Sequence, residues 1–209
     1  METICKQEYI KAPCSASSLP YWKTKNIVVP ENMLILHDDM YNIDDYKDYS
    51  DEKYFRLLHD LKIVQRSSLS VGFSVVSATI EEFVDHINSC YSDISISEQY
   101  LISYREHPVY DKYLWLAVKD NSINRIVASG IAEFDPEIRE GALEWIQVTK
   151  EYRGKGLGKF IVNELLYRLK ERADFVTVSG KTNNETNPEI LYRKCGFTGA
   201  DVWHILHIK

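Results

Sequence analysis

From residue 71 onward, apolar residues alternate with polar ones or recur every three to four positions, which predicts strands and helices in a definite order. Thr79 and Glu82 have the spacing of a capping box, so a helix is expected to begin there and to continue to about Cys90. A second helix is expected over residues 97–106. The predicted strands are residues 73–77, 113–119, 125–134, 141–148, 175–179 and 202–208. One further helix is expected before residues 175–179 and another after them. This order is typical of an α/β protein.

The first part of the chain has a weaker pattern. Three prolines predict irregular structure over residues 1–30, and residues 33–36 predict a short strand. Residues 38–52 are dense in Asp and Tyr, which indicates either a solvated surface or a region that attracts a cationic amine. Apolar positions over residues 54–61 predict a short amphipathic helix.

Length and local composition predict the domain organisation. A chain of 209 residues can bury a substantial core, and we expect one domain with an extension. The serine-rich residues 67–70 are the best candidate for a boundary. The prediction is therefore an N-terminal extension of uncertain structure over residues 1–66 and a domain over residues 67–209.

The stretch from Gln147 to Lys159 carries the clearest chemistry. Glycines alternate with other residues, several of them basic, between a predicted strand and a predicted helix. Glycine permits positive φ and close approach of a ligand to the backbone. The free amides and the dipole at a helix start bind anions, and a phosphate or pyrophosphate suits them best. The candidate ligands of that phosphate are Arg153, Gly154, Lys155, Gly156, Leu157, Gly158 and Lys159.

Two common phosphate-binding motifs do not fit this stretch. A nucleotide P-loop needs Ser or Thr after the lysine, but Phe160 follows Lys159. A dinucleotide-binding turn needs G-x-G-x-x-G and an acidic residue that ends the next strand. Here the glycine spacing is G-x-G-x-G, and Asp174 precedes the next strand.

What fits is R-G-x-G-x-G, which resembles the acetyl-CoA signature of the GNAT superfamily of N-acetyltransferases. Residues 187–197 resemble the second motif of that family, whose core is L-Y-x-x-x-G-F. The two motifs occur in the expected order and are separated by a helix and a strand. The resemblance covers roughly residues 71 to 209 and is sharpest from 143 to 197.

The resemblance implies an α/β (α+β) fold with a mixed, mainly antiparallel sheet, a central parallel strand pair and flanking helices. It also implies acetyl-CoA as co-substrate. The strand over residues 143–148 would separate from the next strand to admit the pantetheine arm, with the Val148 amide near the thioester. The amides of residues 153–158 would hold the pyrophosphate. Asn184 is the candidate to bond the pantetheine arm, although its spacing departs from the family pattern.

The resemblance implies catalytic residues as well. Tyr192 matches the family tyrosine that stands near the cofactor sulfur, where a phenol can protonate the leaving thiolate. Glu144 is the candidate general base, and it should share a face with Val148 because four residues separate them on one strand. Glu133 and Ser179 are alternative bases. Many family members have no single essential base, so a dedicated one need not exist.

The chain departs from the family at its C-terminal end. Only about a dozen residues follow Phe197, so the usual C-terminal hairpin must be very short or merged into one bulged strand. A loop that commonly walls the acceptor pocket is thereby lost. We hypothesise that the N-terminal extension covers the side left open and helps to define acceptor specificity.

The leading interpretation is transfer of an acetyl group to a primary amine, by direct attack in a ternary complex. A small-molecule amine is favoured over a protein lysine or N-terminus, since no peptide groove can be identified. The alternatives are a protein N-acetyltransferase, a non-catalytic acyl-CoA-binding or sensory protein, and a nucleotide-binding module. A homodimer is compatible with the sequence.

Charge, hydropathy and cysteine content further restrict the possible partners of the protein. The chain has 31 acidic and 25 basic residues, a net charge of −6, which argues against nucleic-acid binding. No stretch is apolar enough for a membrane span. The four cysteines lack metal-ligand spacing and indicate reduced thiols in a cytoplasmic protein. His204 and His207 should point to opposite faces of one strand, so no metal site is predicted.

Overall fold

An eight-stranded sheet organises the part of the chain that the computed structural model describes, residues 4–208. The strands are β1 Met33–His37, β2 Tyr49–His59, β3 Phe73–Val76, β4 Trp115–Asp120, β5 Arg125–Asp135, β6 Glu140–Val148, β7 Phe175–Lys181 and β8 Thr198–Ile208. Their order across the sheet is β1-β8-β2-β7-β6-β5-β4-β3. Every neighbouring pair is antiparallel except β6 and β7, which are parallel. The predicted fold class is confirmed.

Helices cover both faces of this sheet. They are α1 Lys6–Lys11, α2 Pro13–Ala16, α3 Tyr21–Thr24, α4 Ile80–Cys90, α5 Glu98–Tyr104, α6 Leu157–Leu169 and α7 Pro188–Lys194. Helices α6 and α7 pack on one face with the larger apolar core, whereas α4 and α5 pack on the opposite face. Among residues 4–208, no helix is both long and apolar enough to cross a bilayer.

Local capping signals define the helix ends as expected. Thr79 Oγ1 accepts the amide of Glu82 at 3.2 Å, and the Glu82 carboxylate accepts the amide of Thr79 at 2.8 Å, so the capping box begins α4. Pro188 occupies the first position of α7, and Gly196 follows that helix with φ +100°. Asn187 precedes α7 in a left-handed conformation and without a side-chain capping bond.

The helix predicted over residues 54–61 is wrong, because this segment forms most of β2. The strand lies between β7 and β8, and Phe55, Arg56 and Leu57 are consecutively buried. A strand that is covered on both faces lacks the alternation of a half-buried one. Its apolar run therefore cannot be told from a short buried helix by periodicity.

The C-terminal end of the chain is a single strand instead of a hairpin. β8 pairs with both β1 and β2, and its register with β2 shifts between Arg56 and Leu58. This agrees with the merged, bulged strand expected from the short C-terminal segment. Residues from the N-terminal segment thus lie on both sides of the last strand.

A buried polar network joins the N-terminal segment to the centre of the sheet. Arg56 is 1 % exposed, and its Nη2 donates to the Tyr9 hydroxyl at 2.8 Å and lies 3.5 Å from Glu140 Oε1. Tyr9 and Thr177 donate to the same Glu140 oxygen at 2.7 and 2.6 Å. The Tyr21 amide donates to the other oxygen at 2.9 Å. Burial raises the pKa of Glu140, and the Arg56 charge opposes that effect.

We expect Arg56→Met to destabilise the protein by about 3–5 kcal/mol, because it leaves the Glu140 carboxylate buried without a compensating charge. Urea unfolding measures the loss. Arg193→Met is the matched control, since its pair with Glu189 is solvent-exposed and should cost less than about 1 kcal/mol. Equal losses in the two variants would contradict a structural role for the buried pair.

Candidate active site

The site lies where β6 and β7 part. The two strands pair over residues 140–143 and 175–178, and the last matched residues are Leu143 and Val178. Beyond this point no further pairing between these two described strands is found. The separation agrees with the opening expected for a pantetheine arm.

A β-bulge shapes the edge of this opening. Ile131 pairs with Trp145 and Ala132 pairs with Leu143, so Glu144 is an extra residue in β6. Val148 packs with the core on the α6 side, whereas Glu144 contacts Lys23 on the opposite face. The expectation that Glu144 shares a face with Val148 is therefore wrong. The bulge inserts one residue between them and reverses the alternation.

The glycine loop has the backbone geometry of an anion site. Gly154 and Gly156 have φ of +78° and +80°, and nothing lies within 4 Å of the place where a side chain would begin. Helix α6 then begins at Leu157. Within residues 4–208, the amides of 154–159 have no protein acceptor, and the first bond of the helix runs from Phe160 to the Gly156 carbonyl. The loop therefore fits the diphosphate of a cofactor.

The remaining loop residues have different contacts. Arg153 Nε donates to the Val148 carbonyl at 3.2 Å, which ties the loop to the end of β6. Lys155 Nζ lies 4.3 Å from the centre of the Tyr152 ring. A side chain at Gly158 would come within 3.1 Å of Leu191 on α7. Gly158 thus permits close packing of α6 and α7, in addition to offering an amide.

Tyr192 is buried on α7, at 6 % exposure, between Phe55 and Phe197. Burial raises its pKa, and a negative charge on Tyr91 would raise it further. Tyr91 follows α4, which lies on the opposite face of the sheet. The effect of Tyr91 on Tyr192 indicates that the two phenols lie within electrostatic range of each other, although the helices beside them pack on opposite faces.

On the α3–α5 side of the opening lies a cluster of charged and aromatic side chains. Lys23 Nζ lies 2.6 Å from Glu144 Oε2 and 3.7 Å from Glu133 Oε2. Trp22 Nε1 donates to Glu133 at 2.9 Å, and His107 Nδ1 lies 3.4 Å from its other oxygen. Glu133, the alternative base, and the candidate Glu144 are thus brought together. Both lie beside the side-chain amine of Lys23.

The cluster has perturbed acid–base properties. Burial, followed by the neighbouring Glu144 charge, raises the pKa of Glu133 from its ordinary 4.5 to about 8. Burial also lowers the pKa of His107, and the Lys23 charge lowers it further. For Lys23, burial opposes the charged form, but Glu144 and Glu133 outweigh it and raise its pKa. Such shifts in a cleft are typical of functional sites.

Residues 111–199 match the family model of the acetyltransferase (GNAT) domain. This part of the chain is similar to the GNAT acetyltransferase domain. Solved structures of this superfamily have the same fold. They include a GCN5-related N-acetyltransferase from Sphaerobacter thermophilus, at TM-score 0.66 and 14 % identity over 78 % of this chain and 53 % of that one. A GNAT-family acetyltransferase from Colwellia psychrerythraea has TM-score 0.62 and 15 % identity over 84 % and 64 % of the two chains.

A third structure similar to this chain is the ribosomal-protein-S18-alanine N-acetyltransferase from Escherichia coli. It has TM-score 0.51 and 18 % identity, over 66 % of this chain and 94 % of that one. The chain spans about half the length of the first structures it matches. No curated protein matches it in sequence. At these identities the solved structures establish the fold.

Two of the candidate site residues, Asn184 and Ser179, are hydrogen-bonded to other residues of the protein. Asn184 Oδ1 accepts the amide and hydroxyl of Thr186, at 2.9 and 2.6 Å, so this oxygen stabilises the loop before α7. Ser179 Oγ accepts from Arg56 at 3.0 Å and lines a cavity beside Glu144. Each role assigned to them remains a prediction.

Sequence reasoning missed Lys23, Trp22 and Tyr91. The first two lie in a segment for which only irregular structure was predicted. No local pattern links them to β5 and β6, because the contacts are formed between distant parts of the chain. Tyr91 directly follows α4, a correctly predicted helix. This position was the only feature of the local sequence that could have drawn attention to Tyr91.

Glu133→Gln should flatten the dependence of stability on pH. A folded-state pKa of about 8, above the ordinary 4.5, means that wild-type stability falls as pH rises between these values. The amide still accepts from Trp22 and cannot ionise. Urea midpoints measured from about pH 5 to 8 should therefore fall less in the variant than in the wild type.

Glu137→Gln is the control for this series. Hydrogen bonding by Lys25 lowers the pKa of Glu137, so its stabilising effect is lost as pH falls and not as pH rises. A wild-type stability that stays constant across this range would contradict the raised pKa of Glu133.

Proposed function

We propose that the protein transfers an acetyl group from acetyl-CoA to a primary amine, preferably of a small molecule, by direct attack in a ternary complex. The observation that carries this proposal is the position of the glycine loop beside the parting of β6 and β7. A nucleotide-binding module would have no need of this opening. The reduced cysteines fit a cytoplasmic location.

In this proposal the loop and the opening divide the binding of acetyl-CoA. The free amides of residues 154–159, together with Arg153, Lys155 and Lys159, hold the diphosphate. The Val148 amide lies near the thioester, and Asn184 approaches the pantetheine arm through its free amide group. The cofactor would supply the activated acetyl group, and the protein would position it at the apex of the opening.

The acceptor amine would approach from the face that carries α3–α5. Glu144, with Glu133 beside it, accepts the proton that an ammonium must lose before it becomes a nucleophile. The amine then forms a C–N bond to the acetyl carbon while the C–S bond breaks. Tyr192, whose phenol burial keeps protonated, is positioned to donate to the leaving thiolate. Its proton is replaced from the amine through solvent.

The small size of the cavity on the acceptor side supports a small acceptor. A cavity of about 120 Å³ lies at the parting of the strands, and its wall includes residues 18–20 and Lys23 of the N-terminal segment. This supports the hypothesis that the segment helps to define acceptor specificity. A protein N-terminus or lysine is the second candidate acceptor, favoured by the fold shared with the S18-alanine N-acetyltransferase. A non-catalytic acyl-CoA-binding protein is the third candidate function.

Gly156→Glu should abolish acetyl-CoA binding, because it places a carboxylate at the diphosphate site and strains a residue with φ +80°. Isothermal titration calorimetry with acetyl-CoA, ATP and NAD measures the affinity. We expect wild-type binding with Kd on the order of micromolar for acetyl-CoA only, and a loss of at least about a hundredfold in the variant.

Gly72→Glu is the matched control for this variant. Gly72 also has positive φ and open space, but it lies before β3 and outside the loop. The control should bear the same backbone strain and keep its affinity. A folded wild-type protein that does not bind acetyl-CoA would leave the glycine loop with a structural role only and refute the proposed activity.

Tyr192→Phe should lower kcat by about a hundredfold while the affinity for acetyl-CoA stays unchanged, because it removes a proton donor without altering the packing. Steady-state release of CoA thiol measures kcat. Tyr167→Phe is the control, since Tyr167 lies on α6 between Arg66 and Lys170. Tyr91→Phe tests the phenol across the opening, and a loss confined to that variant would transfer the acid role to it.

A further inference from the structure

The amine of Lys23 occupies the place where the proposed reaction needs its acceptor. Its Nζ lies 2.6 Å from the candidate base Glu144 and 3.7 Å from Glu133. The side chain also lines the cavity that is bounded by Leu143 and Val178, the last paired residues of β6 and β7. A primary amine, a proton acceptor and the opening for the thioester therefore meet in one place.

The aromatic side chains around Lys23 help to hold its amine there. Nζ lies 5.4 Å from the ring centre of Trp22 and 5.8 Å from that of Tyr104, within the range of cation–π attraction. The side chain is 23 % exposed. Lys25, two residues further on, is solvent-exposed and pairs with Glu137 instead. The segment thus offers one amine to the site and a neighbouring one to solvent.

We propose that Lys23 is an acetylation site of the protein itself, modified within the same chain by acetyl-CoA bound in the opening. The inference rests on the proposed function, since it uses the same cofactor site and the same proton acceptors. It adds an internal acceptor of defined chemistry, a lysine side chain held between two carboxylates.

The Lys23 ammonium passes one proton to the Glu144 carboxylate and becomes neutral. Its nitrogen forms a bond to the acetyl carbon, the C–S bond breaks, and the nitrogen loses a second proton. One of the two protons ends on the CoA thiol and the other in solvent. The products are N-acetyl-lysine at position 23 and free CoA.

Mass spectrometry of the full chain tests this proposal. The protein is incubated with saturating acetyl-CoA, the intact mass is followed over time, and the modified lysine is located after digestion with a protease that does not cut at lysine. We expect one acetyl group per chain, on Lys23, added at least about a hundredfold faster than on Lys25. Lys23→Arg should remove this addition, whereas Lys25→Arg should leave it unchanged.

A mixing experiment distinguishes modification within a chain from modification between chains. An isotope-labelled Gly156→Glu chain is mixed with unlabelled wild type and acetyl-CoA. The labelled chain should remain unmodified at Lys23, and the wild-type rate should not depend on protein concentration. Acetylation of the labelled chain, or equal rates on Lys23 and Lys25, would overturn the proposal.

Two further measurements distinguish the failure of this inference from that of the proposed function. Calorimetry measures acetyl-CoA binding, and release of CoA thiol measures the acetylation of an added amine. A protein that binds acetyl-CoA and acetylates an added amine such as n-butylamine, yet leaves Lys23 unmodified, would overturn the inference alone. In that case Lys23 would block the site and not serve as its acceptor. A protein that does not bind acetyl-CoA would refute both.

Discussion

The pairing of β2 with β7 is the contact on which the site depends. When β7 separates from β6 after Val178, its last residues, 179–181, pair with residues 54–56 of β2. The Phe55 ring fills the space that a side chain at Gly180 would need. An unpaired strand end would leave backbone donors and acceptors without partners. Pairing with β2 satisfies these groups in β7, so the opening between β6 and β7 costs little free energy.

The same N-terminal segment supplies the charges that balance the site. Arg56 compensates Glu140 in the interior, and Lys23 compensates Glu144 and Glu133 beside the opening. Glu133 and Glu144 would otherwise repel each other at low solvent exposure. The segment that was expected to be an extension therefore contributes strands, counter-charges and one wall of the cavity beside Glu144. The division into residues 1–66 and 67–209 remains a prediction.

The glycine loop and the carboxylate cluster lie on opposite sides of the sheet. The bulge at Glu144 produces this division, because it leaves Val148 facing α6 while Glu144 faces α3–α5. An acyl donor bound by the loop and an amine bound by the carboxylates would thus meet through the gap between β6 and β7. This geometry suits direct transfer, in which both reactants must be present together.

The sequence by itself determined the features that depend on near neighbours along the chain. These are the capping box of α4, the glycine loop before α6, Pro188 at the start of α7, and the order of elements from residue 73 onward. Each rests on backbone conformations that a few adjacent residues impose. The two motifs that resemble the GNAT family belong to this class, so the fold and the conformation of the glycine loop were predictable.

Only the tertiary structure decided the position of β2, the face of Glu144 and the amine that Glu144 holds. Arg56 and Glu140, 84 positions apart, meet because β2 lies beside β7 in the sheet. The spacing of apolar residues along the chain does not indicate this position of β2. A bulge changes the face of every residue beyond it, yet its cause is the fit between two strands. Contacts between distant segments depend on packing of the whole chain, and local sequence patterns do not encode them.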